Sequence, residues 1–382
     1  MKLEEVSRQT ENIESRFKYR SILFIGSESY DAATVTVIEG LEELGFTIYT
    51  LHKPNINSWF CNRVIEKTDG LQFDFILSNL HWGTRWDYYQ EHHLMNHLKV
   101  LIDGDDNWEH DTWRDKYERY KAFYAYDPPP QFKTMTLHPN LSPFLLYPFF
   151  WMEPLGEYKP DLVFTSQKSI GDTATQYLPF GMHREYLRFA ENQPTSNRPI
   201  HLTHVPGTGE RRRRANRTLK FLRLTHLLPG KIHLEGVRGE IVYPEQIREP
   251  ALVDKNIHSF HRWGMGKDYY RLLNQSRILF YPGVNGGAWW DSKRPWEAYA
   301  AGCLVMYQKP EVKLDDYSVR ELCPFAWFDS WPEFVAKYWY LYLNPAALEK
   351  LRLRAVESAW KYFSPKALAR YFLYTAWSNF KS

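Results

Sequence analysis

Short, unbroken apolar runs recur along the chain, with longer stretches of helical apolar period between them. In the first half the runs cover residues 21–26, 46–51, 73–80, 99–102 and 162–166; in the second half, 200–205, 232–236, 277–281 and 303–307. Runs of this length that do not alternate with polar positions are strands buried on both faces, the habit of parallel sheets covered by helices. Residues 32–44 form a predicted helix stopped by Gly45, and residues 295–301 another stopped by Gly302. Further helices are predicted over 269–275, 334–343 and 346–362. Strand and helix take turns on both sides of a polar, turn-rich stretch at 191–199, Glu-Asn-Gln-Pro-Thr-Ser-Asn-Arg-Pro. This predicts an α/β chain of two doubly wound domains, 19–190 and 200–331, with 191–199 as linker. Residues 1–18 are expected to be a flexible or helical extension, and 332–382 a set of C-terminal helices.

Composition narrows the function classes. Lys plus Arg number 48 and Asp plus Glu 45, a net +3 too balanced for a dedicated nucleic-acid binder. Three cysteines, Cys61, Cys303 and Cys323, show neither metal-ligand spacing nor a disulfide framework, which fits a reducing, cytoplasmic compartment. No run approaches the roughly 20 apolar residues of a membrane span, and the charged N-terminus lacks a signal-peptide core. Aromatic residues are 17% of the chain, which an aromatic-rich core explains more readily than a sugar-stacking cleft.

Candidate chemistry concentrates in the second half. After the strand at 277–281 come Gly283, Gly286 and Gly287, whose backbone can approach a ligand closely. Lys293 and Arg294 stand at the following helix entry, where the dipole disfavours cations unless an anion sits between them. Glu297, one turn on, is placed to accept from a ribose diol, and the junction as a whole is expected to be exposed. The stretch Pro206-Gly-Thr-Gly-Glu-Arg-Arg-Arg-Arg214 adds Gly207 and Gly209 as an anion cradle, with Arg211 as a cation beside it. In the first half, Asp31 follows the first strand, either as a helix N-cap or as a base. His81 follows the strand at 73–80, either structural or poised for proton transfer. Asp103-Gly-Asp105 has a spacing that suits a divalent cation.

The run KRPWEAYAAGCLV over residues 293–305 resembles the donor-site segment of GT-B glycosyltransferases, closest to the family 1/family 4 bacterial group that includes spore-maturation-type enzymes. The strong part covers about twenty-five residues. The resemblance implies two Rossmann-like domains facing across a cleft, with C-terminal helices crossing back onto the first. Gly207, Gly209, Arg211, Gly286, Gly287, Lys293, Arg294 and Glu297 then bind a nucleotide-sugar donor, and Asp31 and His81 face an acceptor that is a glycan, small molecule or protein. Donor is consumed as substrate, no cofactor is implied, and no metal is required. Many retaining members carry a second glutamate eight positions earlier; here that position is Trp289, which leaves the stereochemical outcome open. Three alternatives stand beside this reading. They are an epimerase or hydrolase on the same scaffold, a metal-dependent GT-A-type transferase using Asp103 and Asp105, and a non-catalytic sugar- or nucleic-acid-binding protein.

Overall fold

A computed structural model describes residues 3–25, 32–51, 63–79, 94, 96–103, 161–168, 176–182, 187, 190–205, 210–234, 267–282, 284–285, 288–290, 292–309 and 319–380. The first part contains α1 (Leu3–Gln9), β1 (Ser21–Ile25), α2 (Ala32–Glu43), β2 (Thr47–Leu51), β3 (Arg63–Ile65), β4 (Phe75–Asn79), β5 (Lys99–Asp103), β6 (Leu162–Thr165), β7 (Gln167–Lys168) and β8 (Gln176–Tyr177). All of these strands but β7 make a seven-stranded sheet, β3-β2-β1-β4-β5-β6-β8, and its pairings are parallel. The second part contains β9 (Ile200–Thr203), α3 (Glu210–Leu224), β10 (Ile232–His233), α4 (Lys267–Asn274), β11 (Ser276–Tyr281), β12 (Val284–Asn285), β13 (Ala288–Trp290), α5 (Lys293–Ala300), β14 (Leu304–Gln308) and β15 (Trp327–Phe328). Its five-stranded sheet runs β10-β9-β11-β14-β15, again parallel throughout. Every residue of β1, β6 and β9 is buried, as strands covered on both faces must be. The architecture is therefore α/β, with two Rossmann-like sheets.

Three helices close the chain: α6 (Trp331–Leu343), α7 (Pro345–Phe363) and α8 (Pro365–Phe380). The α7 helix serves the second sheet, where Phe363 packs on Trp296 at 5.0 Å between ring centroids. The chain then turns at Ser364, and α8 lies against the first sheet. Phe372 meets Phe75 at 5.8 Å and Phe164 at 4.7 Å, and Tyr371 Oη donates to the Tyr177 carbonyl at 3.1 Å. This return is what the resemblance implied for the C-terminal helices.

The close approach of α8 to α2 depends on Gly40, because a Cβ there would run into the Pro365 carbonyl and Ala369. Backbone cannot swing aside as a side chain can. Gly40→Ala is expected to cost about 1–3 kcal/mol through forced separation of the two helices. A urea titration checks it, and an unchanged midpoint would show that the contact yields freely.

Of the two forms expected for the N-terminal segment it takes the helical one, at Leu3–Gln9, and it is packed: Leu3, Val6 and Ile13 are buried, Arg370 on α8 pairs with Glu14 at 2.9 Å, and Arg16 lies 5.4 Å from the centroid of the Trp377 ring. Its apolar positions are spaced to cover the outer face of α8. The stretch 191–199 is polar and mostly exposed, and it is anchored at Arg198. Arg198 is fully buried and donates to the carbonyls of Gln193, Leu273, Ser276, Glu191 and Ala301 at 2.6–3.2 Å. Beside it Arg352 on α7 donates to the Gly302 carbonyl at 3.1 Å and to Asn192 Oδ1 at 2.5 Å. Gly302, at φ 77°, has no room for a side chain between Asn192, Arg198 and Arg352.

Two groups near this junction tie stability to pH. Hydrogen bonding from Arg352 holds the Glu349 carboxyl down at about 2. Burial, helped by the charge of Arg277, holds His201 down at about 4. The His201 ring is wedged against Tyr338 and Tyr342, and neither of its nitrogens has a hydrogen-bond partner. A depressed histidine takes up its proton only in the unfolded chain between pH 6.5 and 4, so stability falls as pH drops through that window. A depressed carboxylate adds a second loss between about pH 4.5 and 2. His201→Phe should flatten the first decline and leave the second, as read by melting temperature against pH.

Candidate functional site

In an open parallel sheet, a crevice opens where the strand order reverses, outside the carboxyl ends of the two strands that flank the reversal. In the second sheet this point lies between β9 and β11, since β10 falls to one side and β14 and β15 to the other. The residues that follow these strands converge there. After β9 come His204 and Val205, both buried. The His204 Nδ1 lies 3.1 Å from the Phe280 carbonyl on β11, which holds the ring across the two strands. At the end of β11, Tyr281 Oη donates to Ser292 Oγ at 2.8 Å. Ser292 is the N-cap of α5 in extended conformation, and its side chain makes no capping bond to the helix.

The α5 helix brings the cations to this crevice. Arg294 Nη1 donates to the Val205 carbonyl at 3.0 Å, binding the helix start to the segment that precedes residues 206–209. Lys293 is 7% exposed and Glu297 1% exposed. Their spacing of four puts them on one face of the helix. A lysine and a glutamate withdrawn from water in one helix turn carry a large desolvation cost, which structures tolerate where the charges meet partners or a ligand.

These positions correct the sequence expectation in two respects. The helix begins at Lys293, so both cations belong to its first turn instead of preceding it. The junction is also not exposed, and Glu297 is among the most buried carboxylates of the described residues. The reason is the company it keeps: Trp296, Ala298, Tyr299 and Ala300 are buried around the whole helix, so α5 is enclosed by β14, α7 and the sheet.

A second feature was not anticipated. Val284 pairs with Trp289 and Asn285 with Ala288 in an antiparallel hairpin. Its outer strand pairs onward with β7, Trp289 with Lys168 and Trp290 with Gln167. This small three-stranded sheet joins segments from either side of 191–199. The sequence carries a signal for it, since a Gly-Gly pair between two short runs is one of the sequence patterns of a hairpin.

Asp31, His81, Gly207, Gly209, Gly286, Gly287 and Asp105 lie outside the described residues, as does the side chain of Arg211. Asp103 is the last residue of β5 on the seven-stranded sheet, whereas Lys293, Arg294 and Glu297 lie on α5, between strands of the five-stranded sheet. No cluster of three or more metal-ligating side chains occurs among the described residues. Among the described residues aromatic side chains pack together: Phe280, Phe328, Trp331 and Phe334 form one contiguous group.

No protein-family model matches the chain, and no curated protein matches its sequence. Solved structures match it over nearly its whole length. Anabaena HepE in complex with UDP-glucose gives a TM-score of 0.45 at 10% identity over 94% of this chain and 99% of its own. Sucrose-phosphate synthase from Thermosynechococcus elongatus gives 0.48 at 13% identity over 94% and 99%. AviGT4, a glycosyltransferase involved in avilamycin A biosynthesis, gives 0.40 at 11% identity over 95% and 98%. The strand orders described above, not these likenesses, define the fold.

Proposed function

We propose that this protein is a glycosyltransferase that moves a sugar from a nucleotide-sugar donor to an acceptor. One observation carries the reading: Lys293, Arg294 and Glu297 gather on the first turns of α5, at the crevice between β9 and β11, with Arg294 fastened to Val205. A diphosphate fits such a place, because the amide end of a helix with two cations in its first turn stands beside the end of β9. Glu297 accepts from the ribose hydroxyls. Negative charge grows on the diphosphate as the glycosyl bond breaks, and Arg294 and Lys293 meet that charge without reorganisation. Gly207, Gly209, Arg211, Gly286 and Gly287 complete the donor side in this scheme.

The proposal divides the chain as 19–190 for the acceptor and 200–331 for the donor, joined at 191–199, with 332–382 returning to the first unit. The acceptor stands at the corresponding crevice of the first sheet, between β1 and β4. Asp31 and His81 follow the ends of those strands by six and two residues in sequence and are the candidates for accepting its proton. The pairing of β13 with β7 supports closure of the cleft, which excludes water and favours transfer over hydrolysis. No helix among the described residues is long and apolar enough to cross a membrane.

The test is a panel of nucleotide sugars and acceptors assayed in excess chelator. Transfer that persists supports the metal-free scheme. Activity lost in chelator, restored by manganese and abolished by Asp103→Ala would move the chemistry to the carboxylate pair. Conversion or hydrolysis of donor with no acceptor present would identify an epimerase or hydrolase.

A further inference from the structure

We propose that α3 is a docking surface for an anionic lipid bilayer. The α3 sequence, ERRRRANRTLKFLRL, holds seven basic residues and one acid, while the whole chain is only +3, so the remainder is net acidic. The helix turns Ala215, Leu219 and Leu222 into the core. At 100° per residue the opposite face carries Arg213, Arg214, Arg217 and Lys220, and then Phe221 and Leu224. The cations on that face are exposed, and its two large apolar side chains are 61% and 78% exposed. Leu227, in the turn that follows, is 43% exposed, and Trp339 borders the same turn by donating its indole N–H to the Leu227 carbonyl at 2.9 Å.

Cations on one stretch of a helix face and bare aliphatic and aromatic groups on the next suit the boundary between headgroups and acyl chains. The arginines and Lys220 meet lipid phosphates, and Phe221, Leu224 and Leu227 enter the acyl region. A nucleic-acid backbone would employ the cations but gives Leu224 and Leu227 nothing to bury against. A second copy of the chain docked face to face would bring four cations against four, which opposes association. The bilayer satisfies both halves of the surface. None of this depends on sugar transfer.

Flotation of the full chain with vesicles tests it, comparing phosphatidylcholine alone with phosphatidylcholine plus phosphatidylglycerol, and a short DNA duplex as a second polyanion. The protein should float with the anionic vesicles and not with the neutral ones. The double variant R217Q/K220Q should weaken partitioning about thirtyfold. The double variant F221S/L224S should weaken it about tenfold, with duplex binding unchanged. All four side chains are solvent-facing, so melting temperatures should hold. Failure of the wild type to float with anionic vesicles would overturn the proposal, and so would flotation indifferent to F221S/L224S, which would show a general polyanion site.

Discussion

Arg198→Ala is expected to be the most destabilising single truncation among the described residues, by about 3–5 kcal/mol. The guanidinium is fully buried and serves five backbone carbonyls drawn from 191–193, the end of α4, the start of β11 and the end of α5. Each acceptor left without a donor in a dry interior costs on the order of 1–3 kcal/mol. Relaxation recovers part of that, so the whole is well below the sum. Arg198→Lys should rescue little, because an ammonium is a compact point donor and cannot reproduce the planar fork that reaches both Ala301 and Ser276. Chemical denaturation of the three proteins decides it. A loss under about 1 kcal/mol for Arg198→Ala would mean that water replaces the side chain, and that the junction is softer than its hydrogen bonds imply.

The second large effect concerns donor use. Arg294→Ala should slow single-turnover transfer by roughly a hundredfold, the scale seen when one preorganised donor to developing charge is removed. It should change ground-state donor affinity less. Arg294 also holds the Val205 carbonyl, so Arg294→Lys serves as the partner variant that keeps charge but not the fork. For Glu297 the burial dictates the substitution. Truncation to alanine would open a cavity within an enclosed helix, whereas Glu297→Gln keeps the volume and removes the charge. The loss of a charged acceptor should weaken donor binding by about 1.5–3 kcal/mol, roughly 10- to 150-fold.

What the sequence disclosed follows from which interactions leave a local trace. The strands were legible because a parallel strand covered on both sides must be apolar at every position, as β1, β6 and β9 are. The stop at Gly302 was legible because its left-handed backbone demands a residue without Cβ. Arg198 was not, since a buried guanidinium looks in sequence like any polar linker residue until its five acceptors are assembled from distant segments. The burial of Glu297 did have a trace that was overlooked: Trp296, Ala298, Tyr299 and Ala300 surround it with apolar positions on every side of the helix, which is the pattern of an enclosed turn. The hairpin of β12 and β13 was not anticipated, because a glycine pair in sequence suits a ligand loop and a hairpin alike, and the pairing with β7 comes from a distant segment.

The central claim is that the crevice beside α5 binds a nucleotide sugar. Calorimetric titration of the wild type and Glu297→Gln with a panel of nucleotide sugars tests it most directly, with melting temperature showing that both proteins are folded. The account predicts one saturable donor for the wild type and a 10- to 150-fold weaker dissociation constant for Glu297→Gln at equal fold stability. Equal affinity in the two folded proteins would contradict it.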